Sequence, residues 1–289
     1  MNRNAMSELP PPDLPACYRH PQKLTGRSCT RCGRPACGDC LKPASIGSLC
    51  PECVAASRPS VHVQGRDWAR RQSALVSLTL IVINVLVFFW VLSGNLDTAG
   101  FSGPVSPREF DLGLNKLVLA QTHEWYRLVT AGFLHFGLLH IGMNMFLLYQ
   151  LGNLLEPALG RLRFALLYGA CLLGGSLGVL VIETNSLGLH GGASGAVFGL
   201  MAAAAVGMQR RGINVFRSGI GTLLAINLIL TFTIPGISIG GHLGGAIIGA
   251  VCGIVMLAPA WKPLPKWSTY AFPAVVMVAA VIASMAVVG

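Results

Sequence analysis

After residue 73 the chain is built from seven apolar stretches, at about 74–93, 128–151, 161–182, 193–209, 216–234, 240–258 and 269–288. A bilayer core about 30 Å thick takes about 20 residues of helix to cross. Inside it, every backbone N–H and C=O must find its partner within the protein, which leaves only helices or a closed barrel. Continuous apolar runs of this length predict helices. Of the 289 residues, 53% are hydrophobic and 11% charged, where soluble domains carry about 25% charge. The expected fold is therefore an all-α polytopic membrane protein: a six-helix core at 73–260, a further transmembrane helix at 261–289, and a small domain in front.

The charges between spans alternate. Arg66, Arg70, Arg71, Arg161, Arg163, Arg210, Arg211, Arg217, Lys262 and Lys266 fall on one side, against Arg108, Lys116 and Arg127 on the other. An excess of Lys and Arg marks cytoplasmic loops. This predicts a cytoplasmic N-terminus, a C-terminus outside, and residence in the plasma membrane. The opening residues through Pro10-Pro11-Pro12 lack an apolar core, so the first span is expected to be an anchor rather than a cleaved leader. The net charge of +10 reflects this loop pattern and is not read as a nucleic-acid signal.

Two of the spans are striped with glycine. Gly241, Gly245, Gly249 and Gly253 recur every four residues in one; Gly195, Gly199, Ala203 and Gly207 do so in the other. Small residues at this spacing make flat helix faces that approach closely in lipid. Each stripe is the natural partner of the other. Ser194 and His242 each adjoin the first residue of a stripe, at matching depth on spans of the same direction. Polar groups are costly in a bilayer and usually functional there. A serine and a histidine that meet are the minimum for nucleophilic catalysis.

His140 and Asn144 are four residues apart on one face of the second span. With the backbone N–H of Ser194, their donors suit a developing oxyanion. On a continuous helix His135 would lie about 140° away from His140 and face elsewhere. Asn84 and Asn227 are expected to form interhelical hydrogen bonds. Cys171 and Cys252 read as small buried apolar residues.

Seven of the nine cysteines lie between 17 and 53, as Cys17-x₂-His20, Cys29-x₂-Cys32, Cys37-x₂-Cys40 and Cys50-x₂-Cys53. Four such pairs are a strong zinc signal, with eight ligands for two tetrahedral sites. A cytoplasmic setting argues against disulfides. The ligands can be shared cross-braced, first pair with third and second with fourth, or sequentially. The metals are expected to be structural and to supply most of the folding energy. The layout is then a disordered 1–14, a zinc-binding domain at 15–56 and a linker at 57–72. Docking of a partner protein is its expected role.

The membrane part resembles the rhomboid family of intramembrane serine proteases, over about residues 70–260. The resemblance rests on Gly192-Ala193-Ser194-Gly195, on His242 followed by Gly245 and Gly249, on His135, His140 and Asn144, and on Trp125-Tyr126-Arg127. It implies a six-helix rhomboid core with a water-filled cavity open to the outer face and a Ser–His dyad without an acidic third member. Ser194 would be the nucleophile and His242 the general base. His140, Asn144 and the Ser194 backbone would form the oxyanion hole, and Arg127 would brace the outer loop. Phe198, where some relatives have tyrosine, would stack on His242. Tyr126 stands where many relatives have tryptophan. No catalytic cofactor is implied. Substrates would be single-span membrane proteins whose helices unwind near the outer face. The N-terminal domain resembles a B-box-type zinc finger.

Three readings compete. The membrane endopeptidase needs both Ser194 and His242. A rhomboid-like pseudoprotease would bind membrane helices without cutting them, but that class usually lacks one of the two. A transporter would spread ionisable residues along a path through the bilayer, whereas here they cluster in one half.

Overall fold

A computed structural model describes residues 14–44, 47–57, 74–96, 105–183, 187–259 and 264–289. The expected N-terminal segment apart from Leu14, and the expected linker apart from Ser57, lie outside these residues. The chain divides into two compact units, Met1–Trp68 and Ala69–Gly289.

In the first unit, β1 (Ala16–Cys17) pairs antiparallel with β2 (His20–Leu24), and β3 (Lys42–Pro43) with β4 (Ser48–Leu49); α1 (Pro51–Ser57) follows. Its buried apolar cluster is Cys17, Ala36, Cys37 and Cys40, flanked by Tyr18 and Leu41. Most of that cluster is cysteine, so little conventional core is available to hold the unit together.

The second unit is helical: α2 (Leu75–Leu92), α3 (Pro107–Leu112), α4 (Lys116–Thr122), α5 (Arg127–Thr130), α6 (Leu138–Leu159), α7 (Arg161–Ile182), α8 (Ser194–Gln209), α9 (Ile220–Thr233), α10 (Ile239–Met256) and α11 (Ser268–Val288). Five of these (α2, α6, α7, α10 and α11) are long and apolar enough to cross a membrane. Helices α8 and α9 are shorter, at 16 and 14 residues, or about 24 and 21 Å at 1.5 Å per residue. The buried carboxylate of Glu156 on α6 accepts from the backbone N–H groups of Val76 and Ser77 and from the Ser77 hydroxyl, at 2.8–3.0 Å. It thereby satisfies first-turn donors of α2 that have no partner within their own helix.

The second span differs from its expected limits of 128–151. The helix begins only at Leu138, after Gly137 with φ 91°. Before it come α5, a 3₁₀ turn at Ala131–Phe133 and an extended Leu134. Residues 128–136 are apolar enough to look like helix, but tertiary hydrogen bonds claim them. Thr130 Oγ1 donates to the Leu112 carbonyl at 2.7 Å, and the Ala131 carbonyl accepts from Gly192 N–H at 2.8 Å.

Helix α10 lies against both α7 and α8, which are the two helices it contacts most. A β-carbon added at Gly245 or Gly249 would overlap the carbonyl of Gly195 or Gly199, and one at Gly253 would lie 2.9 Å from the Ala203 Cα. The two stripes therefore face each other. A second pair of small faces was not read from the sequence. Gly240 and Gly244 on α10 meet Gly178 and Gly174 on α7, again backbone to backbone. In Gly240-Gly241-His242-Leu243-Gly244-Gly245 the second doublet splits between the two neighbours, Gly244 facing α7 and Gly245 facing α8, while in the first Gly240 meets Gly178 and the Gly241 carbonyl lies against both Gly175 and Gly195.

Asn84 and Asn227 donate to the Leu80 and Leu223 carbonyls of their own helices, at 2.7 and 2.8 Å. Asn227 thus bonds one turn back on its own helix, where an acceptor is always within reach, and Asn84 does so while its side chain also meets Tyr168 of α7. Cys171 and Cys252 are fully buried, and Cys171 lies against Gly199.

Leucine at Gly245 or Gly249 should therefore destabilise the helical unit by about 3 kcal/mol, the upper end for overpacking. Val278→Leu, at a position 60% exposed, should change stability by less than about 0.5 kcal/mol. Thermal unfolding in detergent measures both. Equal midpoints for all three variants would show that α8 and α10 do not pack through these glycines.

Candidate active site and metal clusters

Ser194 is the first residue of α8, half-buried, with Ala193 as the N-cap. The first N–H groups of a helix have no partner within it. The residues before Ser194 run beside the loop between α2 and α6: Leu114 and His190 exchange backbone hydrogen bonds at 2.9 Å, and Gly192 is tied to Ala131. Arg127, 4% exposed, holds that loop from inside. Its guanidinium donates to the carbonyls of Phe110 and Gly113 and to the Glu124 carboxylate, at 2.5–3.0 Å. Those bonds keep the Glu124 carboxyl below its ordinary range.

Gly192 has φ 137°, a conformation that favours glycine. A β-carbon there would fall 2.9 Å from His140 Nε2 and 3.5 Å from Ser194 Oγ. The missing side chain thus leaves an atom-sized space bordered by the serine hydroxyl and an imidazole nitrogen. His140 Nδ1 accepts from the Phe136 backbone N–H at 3.3 Å, which leaves the proton of a neutral ring on Nε2, pointing into that space. Asn144 is one turn further along α6. Its amide donates to the His140 carbonyl at 2.9 Å and keeps a second N–H.

His135 departs from its expected place. It precedes α6 instead of lying on it, so the helical angle does not apply. Its ring contacts His140 edge-on, with centroids 5.0 Å apart, and its Nε2 accepts from the Ala193 N–H at 3.5 Å. It therefore supports the turn into Ser194 rather than facing away.

His242, in the first turn of α10, is 7% exposed. Its ring stacks on Phe198, centroids 4.0 Å apart and 18° from parallel. Phe198 is one turn beyond Ser194 on α8, and Gly241 and Gly245 beside His242 pack on Gly195. The glycine contact thus brings the two polar residues to one end of the helix pair. Ser194 and His242 are not hydrogen-bonded to each other. The partner of His242 is one that the sequence reading missed: Thr231 on α9, whose Oγ1 lies 2.7 Å from His242 Nδ1. A threonine in an apolar helix carries no signal of its own.

Behind Ser194 is a cavity of about 50 Å³, lined in part by Ser176, His190, Gly192, Ser194, Ser238 and Gly241. Its lining mixes these polar groups with apolar Leu114, Leu172 and Val179, and it has room for a few waters. The segment just before Ser194 contributes His190, Gly191 and Gly192 to its lining.

A family profile described as "Rhomboid domain" matches residues 122–259. Rhomboid protease GluP of Bacillus subtilis (strain 168) is 33% identical over 129 residues, 44% of this chain and 25% of GluP. Putative rhomboid protease YdcA of the same organism is 32% identical over 136 residues, 45% of this chain and 68% of YdcA. The chain belongs to the rhomboid family. It is a multi-pass membrane protein with rhomboid protease homologues. One rhomboid relative, Inactive RHOMBOID-like protein 8 of Arabidopsis thaliana, is 31% identical over 141 residues, 47% of this chain and 39% of that protein. The chain thus spans a quarter of GluP and well under half of the Arabidopsis relative.

In the other unit the eight metal-ligand candidates form two clusters. Cys17, His20, Cys37 and Cys40 make one, and Cys29, Cys32, Cys50 and Cys53 the other; the ligand atoms in each lie within 4.8 Å of one another. The grouping is cross-braced. His20 Nδ1 is 3.3–3.9 Å from the three sulfurs of its cluster. A tetrahedron with metal–sulfur bonds of about 2.3 Å has edges of about 3.8 Å, so the donors fit one ion per cluster. The Cys50 backbone N–H donates to Cys29 Sγ at 3.2 Å, and backbone donors of this kind hold the Cys29 thiol down to about 6.

Purified full-length protein should accordingly carry close to two ions per chain by elemental analysis. The double variant Cys17→Ser/Cys37→Ser should keep one, because both cysteines belong to one cluster. Loss of both ions would indicate sequential sharing instead.

Proposed function

We propose that this rhomboid is an intramembrane serine endopeptidase with Ser194 as nucleophile and His242 as general base. The observation that carries the reading is the space over Gly192, which lies within contact of both Ser194 Oγ and His140 Nε2. A carbonyl oxygen seated there would have its carbon beside the serine. Attack by Oγ on the scissile carbonyl passes the serine proton to His242 Nε2 and places negative charge on that oxygen. His140 Nε2–H, the second N–H of Asn144 and the Ser194 backbone N–H stabilise the charge as it develops. His242 then protonates the leaving amine, and water from the cavity behind Ser194 hydrolyses the acyl-enzyme by the reverse sequence.

The substrates in this reading are single-span membrane proteins whose helix unwinds near the outer face, since only an extended peptide bond can enter the space. Topology follows from the loop charges: N-terminus in the cytoplasm, C-terminus outside, plasma membrane. The N-terminal clusters hold structural zinc, to which thiolate and imidazole ligands in a tetrahedron are suited. That domain serves partner docking or regulation.

The alternative is a pseudoprotease, favoured by the missing hydrogen bond between Ser194 and His242. A fluorophosphonate probe separates the two. It should label Ser194 in wild type and not in Ser194→Ala, and Ser194→Ala should lose cleavage of single-span substrates in lipid while remaining folded. Labelling or turnover that survives in Ser194→Ala would refute the dyad; absence of both from folded wild type would favour the pseudoprotease.

Asn144→Ala should lower kcat more than it raises KM, because its donor acts on charge present only in the transition state. The loss for one oxyanion donor is about 10²–10³-fold. A normal kcat would return Asn144 to a purely structural role on α6.

A further inference from the structure

The proton count around His242 extends beyond the two-residue dyad. Thr231 Oγ1 has one proton to give. It donates to the Asn227 carbonyl, one turn back on α9, at 2.7 Å. The same oxygen lies 2.7 Å from His242 Nδ1. With its proton committed, Oγ1 meets the imidazole as an acceptor, and Nδ1 carries the hydrogen. A neutral imidazole has one N–H. Its other nitrogen, Nε2, therefore holds a free lone pair, the form required of a base that takes a proton from serine.

Position supports this assignment. Thr231 is 2% exposed, and Thr231 and Gly221 are the buried residues of α9. Its neighbours Ile229, Leu230 and Phe232 are exposed. The helix otherwise packs lightly, yet it sends this one hydroxyl inward to the imidazole. On the opposite side of the bond, the His242 ring is fixed in plane by Phe198, stacked at 4.0 Å. Stacking sets the plane of a ring but leaves the choice of tautomer open; a hydrogen bond to Nδ1 makes that choice.

We propose that Thr231 is the positioning residue of the catalytic histidine: a neutral, membrane-compatible acceptor that fixes the Nδ1–H tautomer and the ring orientation, as a carboxylate does in three-residue sites. A carboxylate here would bring a charge to membrane depth at considerable cost; a hydroxyl already bonded to its own helix does not. The inference rests on the dyad reading.

The test uses full-length protein in proteoliposomes, with Thr231→Val, which keeps the shape and removes the acceptor, and Thr231→Ser, which restores it. Fluorophosphonate labelling gives an amplitude, the fraction of folded sites, and a rate constant, the reactivity of Ser194. Thr231→Val should keep the amplitude and lose about ten- to a hundredfold in rate constant, by analogy with the loss when the hydrogen-bond partner of a metal-bound histidine is removed. On a single-span substrate the loss should appear in kcat with KM within about twofold. Thr231→Ser should recover most of the rate. A Thr231→Val rate equal to wild type overturns the proposal, as does a Thr231→Ser rate as low as that of Thr231→Val at full amplitude. Should Thr231→Val lower the amplitude, Thr231→Ala, which adds no methyl at the contact, is judged by the same rate constant. If folded wild type does not label at all, the dyad itself fails, an outcome distinct from these.

Discussion

The contact of α10 with its neighbours governs the rest of the helical unit. Backbone meets backbone at Gly245 and Gly195, at Gly249 and Gly199, and at Gly240, Gly244 and Gly178. No side chain separates the helices along these lines. Lipid tails are as apolar as leucine, so hydrophobic burial gives little drive for helices to associate in a bilayer. Close approach replaces it with dispersion contacts, individually weak and collectively large. The same approach sets the chemistry. Ser194 and His242 share one end of a helix pair because the glycines beside each of them are in contact.

Around that contact the site is held from several directions. Arg127 gathers loop carbonyls, the Phe136 N–H orients His140, Phe198 sets the plane of His242, and Thr231 binds its Nδ1. Of these groups only Arg127 is ionic, and it pairs with Glu124 in the segment between α2 and α6. The site thus directs hydrogen bonds with neutral groups, which cost least at membrane depth. The N-terminal unit follows a different rule. Its small buried cluster is mostly ligand cysteine, so metal coordination takes the place that packing holds in the helical unit.

Several features were legible from residues alone because they depend on local periodicity. The apolar runs imply helices, since no other open structure satisfies a backbone in lipid. The i, i+4 glycines identify two faces, and x₂ spacing identifies the ligand pairs. These patterns also put Ser194 and His242 each beside the start of a stripe. Where local pattern and tertiary demand diverge, the reading erred. Residues 128–136 look like the start of a span, but bonds to Leu112 and Gly192 hold part of them out of it. That misplaced start put His135 on the wrong face.

What the sequence determined, then, is the class of fold, the membrane setting, the paired small faces and the residue types able to do chemistry. These follow from properties each segment carries by itself. Tertiary structure alone decided which ligand pairs share an ion, how His135 reaches the turn before Ser194, that α10 also packs glycine to glycine on α7, and that Thr231 meets His242. Each is a meeting of atoms far apart in the chain, and the partner's identity is not written in the spacing of either segment. A threonine four residues after an asparagine looks like any other small polar pair until a second helix sets an imidazole 2.7 Å from its oxygen.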